Sequence, residues 1–380
     1  MVSCVSLNSN EGLCVHTVYP YPARFPSSLA RWAIERFTRE GDTVYDPYLG
    51  SGTTAVEAVL LGRHAVGCDI NPFALWLTRT KLALPDQLNY EKIVRAWLVR
   101  WALVGAHGTW HSEWNARWYE PSDYALLCGL RRAAQCPVSQ LTFLRVARTV
   151  SWLNPRSGKV CRLRHGKPRD LRDMIVSQPL WIRRCLRRWE PLTPHQQSRL
   201  RLVWGDARTV RYPPVERPQL VLTSPPYLNA YDYLAWCRLE IEWLAGYPFY
   251  EHARNIVPAR REPESAWDDI ARALTRAWNE LKTGGHMVVV VGATIVRGER
   301  FDTPARVERL ISDLGGVVRE RHTRPVRSAI GHRRDSKGRF TATPDNATMT
   351  TYPDEQIIVA CKTHGCGLLL SLGTSFLLRR

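Results

Sequence analysis

Two hydrophobic periods alternate along the first part of the chain, and each change of period marks an element. After a turn-rich opening, Tyr19-Pro-Tyr-Pro-Ala-Arg-Phe-Pro26, apolar residues recur at Leu29, Trp32, Ala33 and Phe37. That spacing predicts a helix over 27–37, with a serine to cap it. Asp42 to Asp46 reads as a short strand stopping at Pro47. A glycine-rich turn follows, and a helix runs through Thr54 to Leu61. His64 to Asp69 is the next strand, ending in an acid, and Asn71-Pro72 opens another helix. Strand, glycine turn, helix, strand, acid is the first half of a doubly wound α/β sheet.

From about 86 to 198 the alternation dissolves into a Trp- and Arg-rich stretch that predicts helices and loops, a subdomain or large excursion from the sheet. Strand-like runs resume at Leu202–Asp206 and Leu220–Thr223. A helix over about 264–282 leads through Gly284-Gly285 to the apolar strand His286–Gly292. A further helix near 303–314, a basic loop over 321–340 and a strand at Glu355–Cys361 complete the pattern, with no internal repeat. The predicted organisation is therefore 1–85 and 199–362 as two halves of one sheet domain, 86–198 as an insertion, and 363–380 as a tail.

Charge changes this picture more than composition does. The 380 residues carry 53 Lys and Arg against 35 Asp and Glu, a net charge of +18, and nearly all of the excess is arginine. Such a surplus favours a polyanionic partner, and the planar guanidinium suits phosphates and guanine edges. Within 91–190 there are 19 basic residues against 7 acidic ones, so most of the surplus sits in the insertion. A coding bias towards Arg and Trp would give the same composition without a partner. No apolar run is long enough for a membrane span, and the N-terminus lacks a basic patch followed by an apolar stretch, which predicts a cytoplasmic protein. The ten cysteines, scattered without repeating spacing, predict reduced thiols. Cys361-Lys-Thr-His364-Gly-Cys366 lacks a second pair at zinc-site spacing, so no metal is expected.

Two motifs carry chemistry, both at strand ends. In Asp46-Pro-Tyr48-Leu-Gly50-Ser51-Gly52-Thr53-Thr54 the small residues let the backbone turn tightly and approach a ligand closely. The turn lacks the Lys-Ser/Thr ending of a phosphate-binding loop. Asp46 can face a cationic amine, and Asp69 can accept from ribose hydroxyls. A ligand with a ribose and a positive centre but no phosphate satisfies both acids, although the same turn also serves as a purely structural connection. In Ser224-Pro225-Pro226-Tyr227, the two prolines fix the backbone and leave carbonyls without competing N–H donors. A serine hydroxyl beside them can also accept. This array can hold an amino group by its hydrogens, with Tyr227 as a flat face on which an extruded base would stack. Pro-Pro before an aromatic also occurs in ordinary loops.

Together and in this order, the motifs resemble those of the DNA amino-methyltransferases, which modify adenine N6 or cytosine N4. The resemblance covers about 19–82 and 200–361 and leaves out the insertion. It implies a Rossmann-like methyltransferase sheet with S-adenosylmethionine as cofactor. Tyr19 to Phe25, including Arg24 and Phe25, is similar to the family's methionine-binding motif. Asp46, Tyr48, Gly50, Ser51, Gly52 and Thr53 match its glycine-rich motif, Asp69 with Ile70 the ribose-binding acid, and Asp206 with Ala207 the motif whose acid contacts the cofactor's adenine amine. Gly284-Gly285 before an apolar strand is similar to its later structural motifs. Ser224, Pro225, Pro226 and Tyr227 match the catalytic tetrapeptide, whose leading serine goes mostly with cytosine N4. The resemblance therefore implies base flipping and direct methyl transfer in double-stranded DNA, with a cognate restriction endonuclease as partner. Adenine N6, an RNA base amine, or a non-catalytic DNA-binding role are the alternatives. An insertion between the second and third motifs is unusual for the family and leaves target recognition open. The candidates for DNA contact are Arg183, Arg184 and Arg187 in the insertion and Arg324, Arg327, Arg333 and Arg334 in the basic loop, each region having a solvated basic face as its alternative. Trp97, Trp101, Trp114 and Trp118 are expected in the core.

Overall fold

The run His286-Met-Val-Val-Val-Val291 shows why a sheet forms at the centre. Met287, Val289 and Val291 pack into one hydrophobic cluster, and Val288 and Val290 into another on the opposite face. A strand covered on both faces reads as a continuous apolar run because neither parity meets water. In the computed structural model the described residues are 13–22, 24–105, 112–154, 160–163, 168–211, 216–227, 232–244, 247–256, 262–296, 299–325, 333–334, 348–349 and 354–363.

The strands of the main sheet are β1 (Thr43–Asp46), β2 (His64–Asp69), β3 (Leu200–Trp204), β4 (Leu220–Thr223) and β5 (His286–Val291), followed after the small hairpin β6 (Thr294–Val296) and β7 (Glu299–Phe301) by β8 (Val317–Pro325). The pair β9 (Arg333–Arg334) and β10 (Thr348–Met349) precedes the last strand, β11 (Asp354–Cys361). Seven strands are ordered β3-β2-β1-β4-β5-β11-β8. The five strands β3 to β5 pair in parallel, while β11 runs antiparallel to both β5 and β8. The predicted doubly wound sheet is present.

Helices α1 (Ser27–Phe37), α2 (Thr53–Leu60) and α3 (Pro72–Leu82) cover one face. In α2 every residue from Thr53 to Val59 is buried, since it lies between the sheet and α1. The insertion supplies α4 (Gln87–Val104), α5 (Glu113–Ala116), α6 (Pro121–Ala133), α7 (Pro137–Val150), α8 (Leu171–Cys185) and α9 (Pro194–Gln197). The segment after β4 adds α10 (Tyr233–Trp236), α11 (Arg238–Leu244) and α12 (Tyr247–Ile256) to the same side. On the opposite face α13 (Pro263–Glu280) and α14 (Thr303–Asp313) bury Ile270, Leu274, Trp278, Val307 and Ile311 against the sheet.

The insertion, its tryptophans, the first helix cap and the basic loop can each be set against the sequence reading, and the last two change. Among the described residues the insertion shares its core with the sheet's helices: Phe143, Leu144 and Trp97 lie in one continuous cluster with Phe73 and Leu77 of α3, which matches the excursion of the two arrangements left open and thickens one helical layer. Trp97 is fully buried, while Trp101, Trp114 and Trp118 pack against that cluster half-buried. Helix α1 is capped by Pro26, with no side-chain cap; Ser27 is its first helical residue. Residues 321–325 belong to β8 instead of a basic loop. The inward positions of this half of β8 are Glu320, His322 and Arg324, so an edge strand is written in polar residues and its period of two is hidden from a hydrophobicity reading. No helix among the described residues is long and apolar enough to cross a membrane.

Candidate active site

Strand order reverses between β1 and β4, and in such a sheet the crevice outside the carboxyl ends at that point is where ligands bind. Both sequence motifs lie there. Asp46 ends β1, Ser224 follows β4, and the Thr223 hydroxyl donates to Asp46 Oδ1 at 2.7 Å across the switch point. Asp69 ends β2, and Gly205-Asp206 lie just past the end of β3, which starts and stops two residues earlier than expected.

The glycine turn is built around Asp69. Gly50 N–H donates to Asp69 Oδ2 (2.8 Å) and Asn71 N–H to Oδ1 (2.9 Å), tying the turn to the start of α3. Gly50 and Gly52 have φ of 52° and 79°, a region that favours glycine. A Cβ on Gly52 would stand 2.1 Å from Thr78 Oγ1, so α3 touches the turn directly. From beneath, the fully buried Lys81 donates its Nζ to the Ser51 carbonyl at 2.7 Å. Ser51 and Thr53 hydroxyls lie 3.2 Å apart in the same turn.

Burial pushes the carboxyls of both Asp46 and Asp69 up to about 6. Desolvation penalises the charged form, and the hydrogen bonds from Thr223, Tyr48 N–H and the turn amides only partly offset it. Burial likewise raises the Tyr48 hydroxyl, with Asp206 adding to the effect. Asp206 itself is gripped by Arg208, whose Nε lies 2.9 and 2.8 Å from the two carboxylate oxygens, and Arg208 also reaches Asp269 at 2.6 Å. Ala207 is buried against the second cluster, and the Ile70 carbonyl accepts from Trp204 Nε1 at 2.8 Å.

The structure moves the emphasis within the Tyr19–Phe25 segment. Arg24 donates to the His16 carbonyl, and Phe25 is buried in the main cluster. Tyr21 is the residue over the turn: a Cβ on Gly50 would lie 3.7 Å from its ring, and its hydroxyl accepts from Asn71 Nδ2 at 3.3 Å. The repeated Tyr-Pro at 19–22 was the available signal for it, and the Asp-x-Arg spacing for Arg208.

Beyond β4, Ser224 and Tyr227 are half-buried, Pro225 is buried and Pro226 exposed. The Tyr227 hydroxyl donates to Glu355 Oε1 at 2.6 Å, and its ring lies beside Gly292, where a Cβ would be 3.8 Å away. Glu355 in turn accepts from Arg324. Arg324, expected on a DNA-binding loop, is therefore buried behind the tetrapeptide, because β8 is a strand and points it inward. Arg183, Arg184 and Arg187 are exposed on α8 and the turn after it, with Arg183 paired to Glu91 of α4. Arg333 and Arg334 form β9, their side chains lying outside the description, and Arg327, His364 and Cys366 lie outside the described residues.

Comparison with known proteins places these features in context. The family model described as DNA methylase, of the N6/N4 type, matches residues 4–78. The chain is 35% identical over 80 residues to the Type II methyltransferase M.MjaII of Methanocaldococcus jannaschii, covering 21% of this chain and 15% of that protein. It is 41% identical over 94 residues to M.BsoBI of Geobacillus stearothermophilus, covering 24% and 18%. With M2.DpnII of Streptococcus pneumoniae it is 38% identical over 69 residues, covering 18% and 26%. The chain thus spans about a fifth of the length of the curated relatives it matches. Solved structures overlap it loosely; a putative RNA methyltransferase from Pyrococcus horikoshii, 10% identical, covers 94% of this chain and 93% of its own at a TM-score of 0.37.

Proposed function

We propose that this chain, which its match over residues 4–78 groups with the DNA amino-methyltransferases, methylates the exocyclic N4 amine of cytosine in double-stranded DNA. The observation that carries this reading is the meeting of the two motifs at adjacent strand ends, joined by the Thr223–Asp46 hydrogen bond of 2.7 Å.

The residues present fit S-adenosylmethionine, which supplies an electrophilic methyl group when bound. The turn at Gly50 and Gly52 adopts positive φ that lets the backbone itself face a ligand, with Thr78 of α3 packed against Gly52 and the Tyr21 ring walling the Gly50 side. Asp46 and Asp69 offer two carboxylates for an amine and for ribose hydroxyls, and Asp69, which accepts from the Gly50, Ile70 and Asn71 amides, retains capacity for a further donor. Asp206, paired with Arg208, lies just past the end of β3 where its charge reaches Tyr48, and suits an adenine amine. No lysine follows the glycines to select a phosphate.

For the base, the Pro225 carbonyl and the Ser224 hydroxyl are acceptors on a backbone held rigid by Pro225 and Pro226. Accepting the amine's two N–H bonds turns its lone pair away from them and raises its nucleophilic character. Tyr227 offers the aromatic face for a base taken out of the stack. Alignment of the two reactants supplies much of the rate, and burial of the crevice keeps water from the reacting atoms. Arg183, Arg184 and Arg187, exposed on one side of the insertion, are proposed partners for DNA phosphates.

The test is incubation of the purified protein with unmethylated duplex DNA and labelled S-adenosylmethionine, followed by nucleoside digestion and mass spectrometry. N4-methylcytosine is expected, and Ser224→Ala should lower it by on the order of a hundredfold while cofactor binding persists. N6-methyladenine would overturn the choice of base and keep the chemistry. Label in RNA alone would overturn the choice of DNA, and no label in either would overturn the reading.

A further inference from the structure

The tetrapeptide is braced from strands that lie outside both sequence motifs. Glu355 on β11 and Arg324 on β8 are directly opposed partners in the sheet register. Their side chains are only 12% and 10% exposed, and Arg324 donates to Glu355 Oε2 from both Nε and Nη2. Ile357 and Val359, further along the same face of β11, are apolar and fully buried. A buried ion pair brings little stability over apolar residues of similar volume, so its presence here calls for another reason. The other oxygen of Glu355 supplies one: it accepts the Tyr227 hydroxyl at 2.6 Å.

We infer that Glu355 and Arg324 are positioning residues for the target base, acting through the Tyr227 hydroxyl to hold the tetrapeptide's ring and serine in place. The inference rests on the reading of Ser224-Pro-Pro-Tyr227 as the place where the base amine is held. Arginine can only donate, and a carboxylate can only accept. The single phenolic proton therefore points at Glu355, and the phenolic oxygen is left to accept. Ser224 is its other hydrogen-bonding neighbour. If the serine proton goes to Tyr227, the lone pairs of Ser224 Oγ remain for the N–H bonds of the amine. The Tyr227 ring is held at both ends, by Pro225-Pro226 and by Glu355, with one face beside Gly292.

The experiment compares the unsubstituted protein with Glu355→Ala, Glu355→Gln, Tyr227→Phe and the double variant Tyr227→Phe/Glu355→Ala. Glu355→Ala is expected to lower kcat on duplex DNA by on the order of tenfold to a hundredfold, with cofactor affinity by calorimetry unchanged. Glu355→Gln, which still accepts the phenolic proton, should restore most of the rate. The double variant should be no slower than Tyr227→Phe alone, because the brace acts only through the hydroxyl. A second readout is independent of methyl transfer: with fluorotyrosine incorporated, the fluorine resonance that disappears in Tyr227→Phe should shift and broaden in Glu355→Ala. Additive losses in the double variant, or a resonance unmoved by Glu355→Ala, would overturn the brace. A wild-type protein that methylates no nucleic acid would instead overturn the base-amine reading, and the resonance would still decide the brace.

Discussion

Asp46 and Asp69 set the pH behaviour of the crevice. Their folded carboxyls titrate near 6, above the value of 3.8 usual for the unfolded chain, so between these limits the folded protein binds protons that the unfolded chain has released. The free protein is consequently favoured by these two groups on the acid side, and that contribution is lost as pH rises through the folded values. A cationic or hydroxyl-bearing ligand needs the ionised forms, so its binding runs the other way. Lowering the pH from about 7 to about 5 is expected to shrink the rise in Tm produced by S-adenosylmethionine, and Asp69→Asn should flatten that dependence. Gly52→Ala tests the turn. With φ at 79° and Thr78 Oγ1 at 2.1 Å from the added carbon, it should cost roughly 1–2 kcal/mol from the backbone alone, read in chemical unfolding, and weaken cofactor binding in calorimetry. These glycines and acids were legible from their order in the chain. Lys81 was not, because what marks it is packing across elements and not a spacing; for Tyr21 and Arg208 the Tyr-Pro repeat and the Asp-x-Arg spacing were signals that only packing made meaningful.

Between elements, a buried polar junction outside the crevice joins α7 to α11. Arg148 Nη1 lies 2.6 Å from Glu240 Oε1 and its guanidinium sits 3.4 Å from the centre of the Trp236 ring, while Tyr19 donates to the same Glu240 oxygen at 2.7 Å. Glu240 is fully buried, so removing its partner leaves a charge in the core. Arg148→Leu should lower unfolding free energy by about 3–5 kcal/mol in urea titration, whereas Arg148→Leu combined with Glu240→Leu should recover much of that loss. The elements themselves were mostly legible: β2 spans the six residues expected, and α1 and α14 lie where the periodicity placed them. Strand β8 was hidden because its inward face carries Glu320, His322 and Arg324, and the helices over 233–256 went unread between the Ser224–Tyr227 motif and the next helix.

Taken whole, the molecule separates two kinds of arginine that its composition pools. Arg183, Arg184 and Arg187 lie exposed on α8 and the turn after it, while Arg148 and Arg324 are buried in ion pairs. If the first group meets phosphates, changing all three to Ala should weaken duplex binding and flatten the plot of log K against log salt by about 0.9 for each phosphate no longer neutralised. Arg324→Ala should leave that slope in place and act on turnover. Sequence by itself determined the sheet, the two motifs and their order, because continuous apolar runs, glycine turns and strand-ending acids are local consequences of burial and backbone sterics. Only the tertiary structure decided that the insertion shares the core of the first helical layer, that β11 runs backwards between β5 and β8, and that Glu355 reaches Tyr227. Each of these depends on which distant segments pack together, a choice made by the summed burial of the whole chain and carried by no single stretch of it.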